Sequence, residues 1–229
     1  MVLDKPGKPS YESPSSFRII ILIRTISKIH ERIIAARLLA AARLRGVLHH
    51  NQSGSLPGLS TYDTCLTLTN DVKTMQRPRL KLSSLFLDIK AGFDNVDNNT
   101  LARILREGGI PPYLVSWVSS FLGERSCTLI QGAPGTPAPI NVGAPQGSPI
   151  SPLPFLLYVA PLHFRIPQGL MISYVDDFAL TVASFSYRGN IHRLQELFEK
   201  LERKASRLGV SFSVPKTELI HWRTPSQRH

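Results

Sequence analysis

Two adjacent carboxylates, Asp176 and Asp177, lie inside the otherwise apolar stretch SYVDDFAL at residues 173–180. A buried, unpaired carboxylate costs on the order of several kcal/mol, and two neighbours also repel, so both stay ionised only beside a compensating cation. Oxygen ligands of this kind select Mg²⁺ or Mn²⁺ over zinc. Because adjacent residues of a strand point to opposite faces, the two side chains can share one site only where the chain turns. We therefore expect a hairpin tip that binds a divalent metal.

A third carboxylate, Asp88, ends the apolar run Leu85–Phe86–Leu87, which predicts a buried strand. If that strand neighbours the hairpin, Asp88 and Asp176 can bridge two metals. Two metals about 4 Å apart clamp the attacking and leaving oxygens of an in-line phosphoryl displacement, as in nucleotidyl transfer and in nuclease cleavage. The alternative is that these aspartates only form turns at strand ends.

The charge balance of the chain favours a polyanionic partner. Its 229 residues carry 27 Lys and Arg against 16 Asp and Glu, a formal net charge of +11, and 42% of them are hydrophobic. Nucleic acid fits this balance better than a membrane surface does. The apolar run Ile19–Ile23 is too short to span a bilayer, and the N-terminus lacks a signal-peptide layout. We expect an intracellular protein of the nucleus or cytoplasm that is not secreted.

Hydrophobic spacing and turn residues predict an α+β fold in which helices back an antiparallel sheet. The lead-in at residues 1–16 is rich in proline and predicts an extended arm. Helices are predicted over about 26–44, 62–74, 98–109, 153–163 and 190–208, with another beginning at Pro111. Strands are predicted at 85–88, 169–175, 178–183, 210–214 and 218–222, and a hairpin from segments near 127–131 and 140–143.

The helix over 26–44 has an apolar stripe with positive charges beside it. Lys28, Arg32 and Arg43 either form a solvated flank or face phosphates. The stripe itself comprises Ile26, Ile29, Ile33, Ala36, Ala40 and Leu44.

Four segments together resemble the successive palm motifs of a reverse transcriptase, in the right order and at suitable distances. They are FLDIKAGFDNVD (86–97), APQGSPISPLPFLLYV (144–159), SYVDDFAL (173–180) and GVSFSVPKTELIHW (209–222). The details resemble LINE-like, non-LTR retrotransposons, particularly those of fungi. Two earlier segments, KPSYESPSSFRIIILIRTISKIHERI and QSGSLPGLSTYDTCLTL, resemble the fingers that precede their palm. The resemblance implies a polymerase-type palm at 81–229, a partial, helix-rich fingers region at 1–80, and no thumb.

The resemblance also implies a role for individual residues. Asp88 and Asp176 would hold the metals, with Asp177 as the adjacent acid and the Ile89 carbonyl completing a metal shell. Phe93 would stack under the incoming sugar and leave no room for a 2′-hydroxyl. The remaining predicted substrate-binding residues are three that line the nucleotide and template and a lysine near the triphosphate: Gln146, Gly147, Ser148 and Lys216.

The implied activity is that of an RNA-directed DNA polymerase which uses Mg²⁺, or Mn²⁺, an RNA template, a DNA primer and deoxynucleoside triphosphates. Three positions depart from the family pattern. Leu59 replaces an arginine, Ile19 replaces a proline, and Ala91–Gly92 inverts the usual order. Together these departures suggest a decayed genomic copy. Because grip on a primer and template normally needs a thumb, and no thumb is expected here, we expect weak, distributive synthesis. The alternative is a catalytically silent nucleic-acid-binding remnant of a decayed retrotransposon, and a maturase-like intron reverse transcriptase ranks third.

Overall fold

A computed structural model describes residues 2–7, 10–13, 16–128, 130–131, 133–134, 136–140 and 142–223. The chain forms two compact units, each made of two segments. Unit 1 comprises Met1–Val47 and Phe93–Phe155, and unit 2 comprises Leu48–Gly92 and Leu156–His229. The predicted division into fingers at 1–80 and palm at 81–229 follows chain order and stays a prediction.

The order of elements agrees with the predicted α+β class, with boundaries shifted by a few residues. The helices are α1 (Thr25–Leu44), α2 (Thr61–Met75), α3 (Asn98–Glu107), α4 (Pro112–Leu122), α5 (Pro152–Val159) and α6 (Tyr187–Arg207). The strands are β1 (Val2–Asp4), β2 (Phe17–Ile19), β3 (Gln52–Ser53), β4 (Lys81–Asp88), β5 (Arg125–Cys127), β6 (Ile130–Gln131), β7 (Ala133–Pro134), β8 (Ala138–Ile140), β9 (Gly169–Tyr174), β10 (Asp177–Ser184) and β11 (Glu218–Trp222).

Unit 2 is built on a five-stranded sheet in the order β11-β4-β10-β9-β3. Every pairing is antiparallel except β3 with β9. Leu87, Phe178 and Leu180 of the central strands are almost completely buried. Burial of such side chains contributes about 1.5–3 kcal/mol each, so the two strands that carry the carboxylates are anchored by a well-buried core.

Helix α6 covers one face of this sheet, and the carboxylate of Asp88 belongs to the other. The Asn190 side chain on α6 donates to Ser83 Oγ at 3.0 Å and to the Lys81 carbonyl at 2.8 Å. Ser83 and Asp88 are five residues apart on β4, and side chains alternate between the faces of a strand. Helix α6 therefore packs on the sheet face opposite the Asp88 carboxylate.

Unit 1 contains the helices α1, α3 and α4, and the starts of α3 and α4 follow ordinary rules for helix N-termini. Asp97 accepts a hydrogen bond from the Thr100 N–H at 2.8 Å and caps α3. Pro112 occupies the first turn of α4, where a missing N–H is harmless. Leu101, Leu105 and Leu114 are completely buried.

The apolar stripe noted in the sequence of α1 is exposed, and the opposite face is buried. Ile26, Ile29, Ile33 and Leu44 are all exposed. The buried residues of this helix are Glu31, Ile34, Leu38, Leu39 and Ala42. Since these also recur at helical spacing, α1 has two apolar faces, and the contacts of unit 1 decide which is covered.

Three further predictions need correction. Part of the predicted irregular arm is β1, which pairs with β2 through Leu3 and Arg18. The segment 210–214 is not a strand, since only Phe212 forms a bridge, to Ile89. The predicted helix at 153–163 ends as an α-helix at Val159 and continues as a 3₁₀ turn.

The hairpin near residue 130 forms as β5 with β8 and β6 with β7, although residues 129, 132, 135 and 141 lie outside the described part.

Among the described residues, no helix combines the length and the apolar character that crossing a bilayer requires.

Candidate active site

The two aspartates of SYVDDFAL lie at a hairpin tip, as the sequence predicted. Tyr174 of β9 pairs with Asp177 of β10, which leaves Val175 and Asp176 as a two-residue turn. Val175 has a φ of 55°, in the left-handed region that a β-branched residue rarely adopts. Such a conformation costs on the order of 1–3 kcal/mol and persists only where the surroundings impose it.

Strand β3 imposes this turn. The Val175 N–H donates to the Ser53 carbonyl at 3.0 Å. At Gly54 an added Cβ would lie 2.5 Å from Val175 Cγ2, so only glycine allows this approach. The strained turn is thus fixed by a backbone hydrogen bond and by close packing.

The third predicted carboxylate is on the adjacent strand. In the β4–β10 register Asp88 is directly opposite Asp177, a separation of about 4.5–5.5 Å between Cα atoms. The Ile89 N–H donates to the Asp176 carbonyl at 3.0 Å. Asp88 and Asp177 are therefore cross-strand neighbours, and the backbone of Ile89 contacts that of Asp176.

The carboxylates at this tip destabilise each other's charged form. Burial is the largest cause that raises the pKa of Asp176, and the charge of Asp88 adds to it, while a backbone hydrogen bond and Lys216 act in the opposite direction. Burial also raises the pKa of Asp177, followed by the charges of Asp176 and Asp88. A site that raises several carboxyl pKa values is typical of functional centres, because a bound cation relieves the repulsion.

Lys216 already supplies one positive charge. Its Nζ donates to Asp88 Oδ1 at 2.8 Å. The segment that carries it is tied to β4, since the Ser213 N–H donates to the Asp88 carbonyl and the Lys216 N–H to the Ser213 carbonyl. The hydrogen bond to Asp88 raises the pKa of Lys216 above its ordinary value of about 10.5.

The stability contributed by this ion pair should be small and should depend on pH. The pair is largely exposed on the lysine side, so Lys216→Gln is expected to lower the free energy of unfolding by about 1 kcal/mol or less. Because the folded-state pKa of Lys216 is raised, the contribution is fully present below the unfolded-state pKa and is lost as pH rises through the folded-state value. Urea unfolding of wild type and variant between pH 7 and pH 11 measures this. A difference that already vanishes near pH 8 would contradict it.

The donor atoms suit Mg²⁺ or Mn²⁺, but they are not collected into a finished metal site. Carboxylate and carbonyl oxygens are the ligands these ions prefer. A cavity of about 530 Å³ opens beside Asp88, Asp177 and Lys216. Within the described part of the chain, however, no three His, Cys, Asp or Glu side chains converge as metal ligands. The ligand chemistry therefore fits a divalent metal.

Four of the residues predicted to contact the nucleotide or template belong to unit 1: Phe93, Gln146, Gly147 and Ser148. Phe93 stacks on the buried Phe155 with ring centroids 4.6 Å apart and planes at 22°. The Phe93 carbonyl accepts from the Ala144 N–H at 2.7 Å, and the Val96 carbonyl accepts from the Gly143 N–H at 2.8 Å. The aromatic residue and the start of the loop at 144–148 are thus joined through the backbone.

Two polar side chains of this loop form hydrogen bonds with other residues of unit 1. Gln146 Nε2 donates to Asp94 Oδ1 at 3.3 Å, and the buried Ser148 hydroxyl donates to Glu31 Oε2 at 2.5 Å. Glu31 was missed by sequence reasoning, although a lone acid among the apolar residues of α1 was a usable signal. In this structure Ser148 anchors the loop, and its predicted contact with a nucleotide stays a prediction.

Gly147 is a position where an added methyl group should be costly. Its φ is 102°, and an added Cβ would lie 2.8 Å from the Ile21 carbonyl oxygen. Gly147→Ala is expected to lower the free energy of unfolding by about 1–3 kcal/mol, through backbone strain plus this clash. Gly46→Ala is the matched control, because Gly46 also has a positive φ of 65° but has nothing within 4 Å of the added Cβ. Equal losses in urea unfolding would show that the clash is relieved without cost.

Known proteins resemble this chain in sequence over nearly its whole length. The profile of the family described as reverse transcriptase (RNA-dependent DNA polymerase) matches residues 3–228. A "Probable RNA-directed DNA polymerase from transposon X-element" of Drosophila melanogaster is 27% identical over 227 residues, covering 96% of this chain and 24% of that protein. A similar polymerase from transposon BS of the same organism is 29% identical, covering 95% and 25%. The chain thus spans about a quarter of the length of these relatives.

Solved structures show the same fold at low sequence identity. A telomerase from Candida tropicalis with a TWJ fragment of telomeric RNA gives a TM-score of 0.64 at 12% identity, covering 88% of this chain and 34% of that one. The apo telomerase truncated from its C-terminal domain gives 0.59 at 18% identity, covering 89% and 42%. These likenesses confirm the predicted α+β polymerase palm. With a family profile that matches nearly every residue, the chain belongs to the reverse transcriptase (RNA-dependent DNA polymerase) family.

Proposed function

We propose that this chain is the catalytic part of an RNA-directed DNA polymerase of a LINE-like, non-LTR retrotransposon. The observation that carries the proposal is the meeting of Asp88, Asp176 and Asp177 at a strained hairpin tip, where burial and mutual repulsion raise carboxyl pKa values. In the proposed reaction a primer 3′-hydroxyl attacks the α-phosphate of a deoxynucleoside triphosphate and pyrophosphate leaves. An RNA template selects the base by pairing.

Asp88 and Asp176 would hold Mg²⁺, or Mn²⁺, together with the Ile89 carbonyl and with Asp177 as the adjacent acid. When bound, the metal would neutralise charge on the phosphates. Lys216 is protonated at neutral pH, as its ordinary pKa already requires and as the hydrogen bond to Asp88 reinforces, and its ammonium can bind the triphosphate. Phe93, held by its stacking on Phe155, excludes a 2′-hydroxyl.

We further propose that the protein acts inside the cell, in the nucleus or the cytoplasm, which its positive charge supports.

The test is addition of a single nucleotide to a labelled DNA primer annealed to an RNA template, with Mg²⁺ or Mn²⁺ and one deoxynucleoside triphosphate at a time. The expected result is metal-dependent incorporation of the base complementary to the template. Changing the templating base should change the incorporated base accordingly. Salt-dependent binding of the primer and template with no metal-dependent incorporation would overturn the proposal in favour of a silent nucleic-acid-binding remnant.

A further inference from the structure

Helix α6 carries two lysines that lie beside one aromatic ring and an arginine that neighbours them on the helix surface. Lys200 Nζ lies 4.2 Å from the centroid of Phe164, and Lys204 Nζ lies 5.8 Å from it. Lys204 Nζ also donates to the Pro161 carbonyl at 2.6 Å. Arg207 follows Lys204 by three residues, so it is a neighbour on the helix surface. We call Lys200, Lys204 and Arg207 the α6 cation cluster.

This cluster differs from an ordinary solvated helix face. Glu196 lies four residues before Lys200, the favoured spacing and order for a Glu–Lys ion pair. Lys200 nevertheless lies over Phe164, and Glu196 contacts His192 at 3.4 Å. A neighbouring pair does form, between Glu199 and Arg203 at 3.9 Å. No residue of the cluster forms an ion pair with any carboxylate in the described ranges.

The like charges of the cluster act on one another. Burial lowers the pKa of Lys204 below its ordinary value, and the charges of Lys200 and Arg207 lower it further. The fold thus holds these cations together against their mutual repulsion. A bound anion would remove this repulsion, which gives the cluster a preference for negatively charged ligands.

We propose that the α6 cation cluster binds the phosphate backbone of a nucleic-acid strand at a site separate from the carboxylates. The helical rise of about 1.5 Å per residue puts Lys200 and Arg207 about 10 Å apart along the axis, which can serve more than one phosphate. The helix covers the sheet face opposite Asp88, as the contact of Asn190 with Ser83 shows. The proposed phosphate contact is therefore separate from the carboxylates at the hairpin tip. Such a contact depends on the charge of the phosphates and not on the base sequence of the strand.

The test compares two triple variants of the full chain that lose the same charge. One is Lys200→Gln, Lys204→Gln and Arg207→Gln. The control is Lys73→Gln, Arg106→Gln and Arg188→Gln, three exposed cations on other helix surfaces or at the far end of α6. Fluorescence anisotropy of a labelled single-stranded RNA is measured between 50 and 200 mM salt. Each lost phosphate contact should reduce the slope of log affinity against log salt by about 0.7.

The cluster variant is expected to lose about 2 from this slope and roughly a few hundredfold in affinity at the lowest salt, whereas the control should change little. Lys200→Arg with Lys204→Arg should keep the wild-type slope. Equal slopes for the cluster and control variants would overturn the proposal. So would loss of binding to phosphatidylserine vesicles in the cluster variant with the RNA slope unchanged, which would assign the cluster to a membrane. The assay needs no metal and no catalysis, so it stands even if the chain does not polymerise.

Discussion

Asp176→Asn is expected to reduce template-directed incorporation at least about a thousandfold while making the protein more resistant to heat. Removing a single hydrogen-bond donor that stabilises a transition state typically lowers the rate by about 10² to 10³. Removing the charge of a metal ligand should lower the rate by more than this. The gain in stability follows from the raised pKa of Asp176. Activity and stability should therefore change in opposite directions.

The sign of the stability change can be worked out from linkage. A carboxyl group whose pKa is higher in the folded state is ionised at a cost in the fold, and this penalty is present at pH values above the folded-state pKa. It disappears as pH falls below the unfolded-state value, where both states are protonated. Asparagine has no charge to bury, so the melting temperature of Asp176→Asn should exceed that of wild type at pH 7, and the difference should shrink towards pH 3.

Three companion variants sharpen this test. Asp88→Asn should also abolish incorporation, but it removes the partner of Lys216 and should not raise the melting temperature as Asp176→Asn does. Asp177→Asn tests whether the residue paired with Asp88 in the register is needed as much as its neighbour. Asp71→Asn on α2 is the matched control, expected to leave both quantities unchanged. The hypothesis fails if Asp176→Asn keeps a tenth of wild-type incorporation.

How far the sequence predicts this site is clearest at the hairpin. The alternation around SYVDDFAL was enough to predict two strands and a tip between them, because adjacent carboxylates cannot otherwise share a site. It could not predict that Asp88 pairs with Asp177, since register depends on contacts between strands that are 89 residues apart. Nor could it reveal the positive φ of Val175, which Ser53 and Gly54 impose from a third strand.

Helix α1 shows the corresponding limit for packing. Its sequence has apolar residues on two faces, and local spacing gives no reason to choose one. The buried face is the one that brings Glu31 to Ser148, a partner 117 residues later in the chain.

The failure of 210–214 to form a strand has a similar origin. The Lys90 N–H donates to the Ser211 carbonyl and the Ser213 N–H to the Asp88 carbonyl, which is enough for one bridge at Phe212.

The second large effect concerns the choice of sugar. Phe93→Val is expected to lower the preference for deoxynucleotides over ribonucleotides by roughly 10- to 100-fold, because overlap of a 2′-hydroxyl with a packed ring is worth about 1–3 kcal/mol. The ring is suited to this task because its stacking on the fully buried Phe155 limits its movement. Incorporation rates for the two kinds of triphosphate, measured on the same primer and template, give the ratio.

Phe155→Leu is the matched control, because it loosens the support of Phe93 without removing the ring. A change at a fully buried aromatic should lower the melting temperature clearly while lowering the sugar preference less than Phe93→Val does. Phe93 is only half-buried, so its own replacement should cost less stability. The two variants then separate exclusion by the ring from general loosening of unit 1. If the sugar preference of Phe93→Val equals that of wild type, another residue excludes the 2′-hydroxyl, and the role implied for Phe93 is wrong.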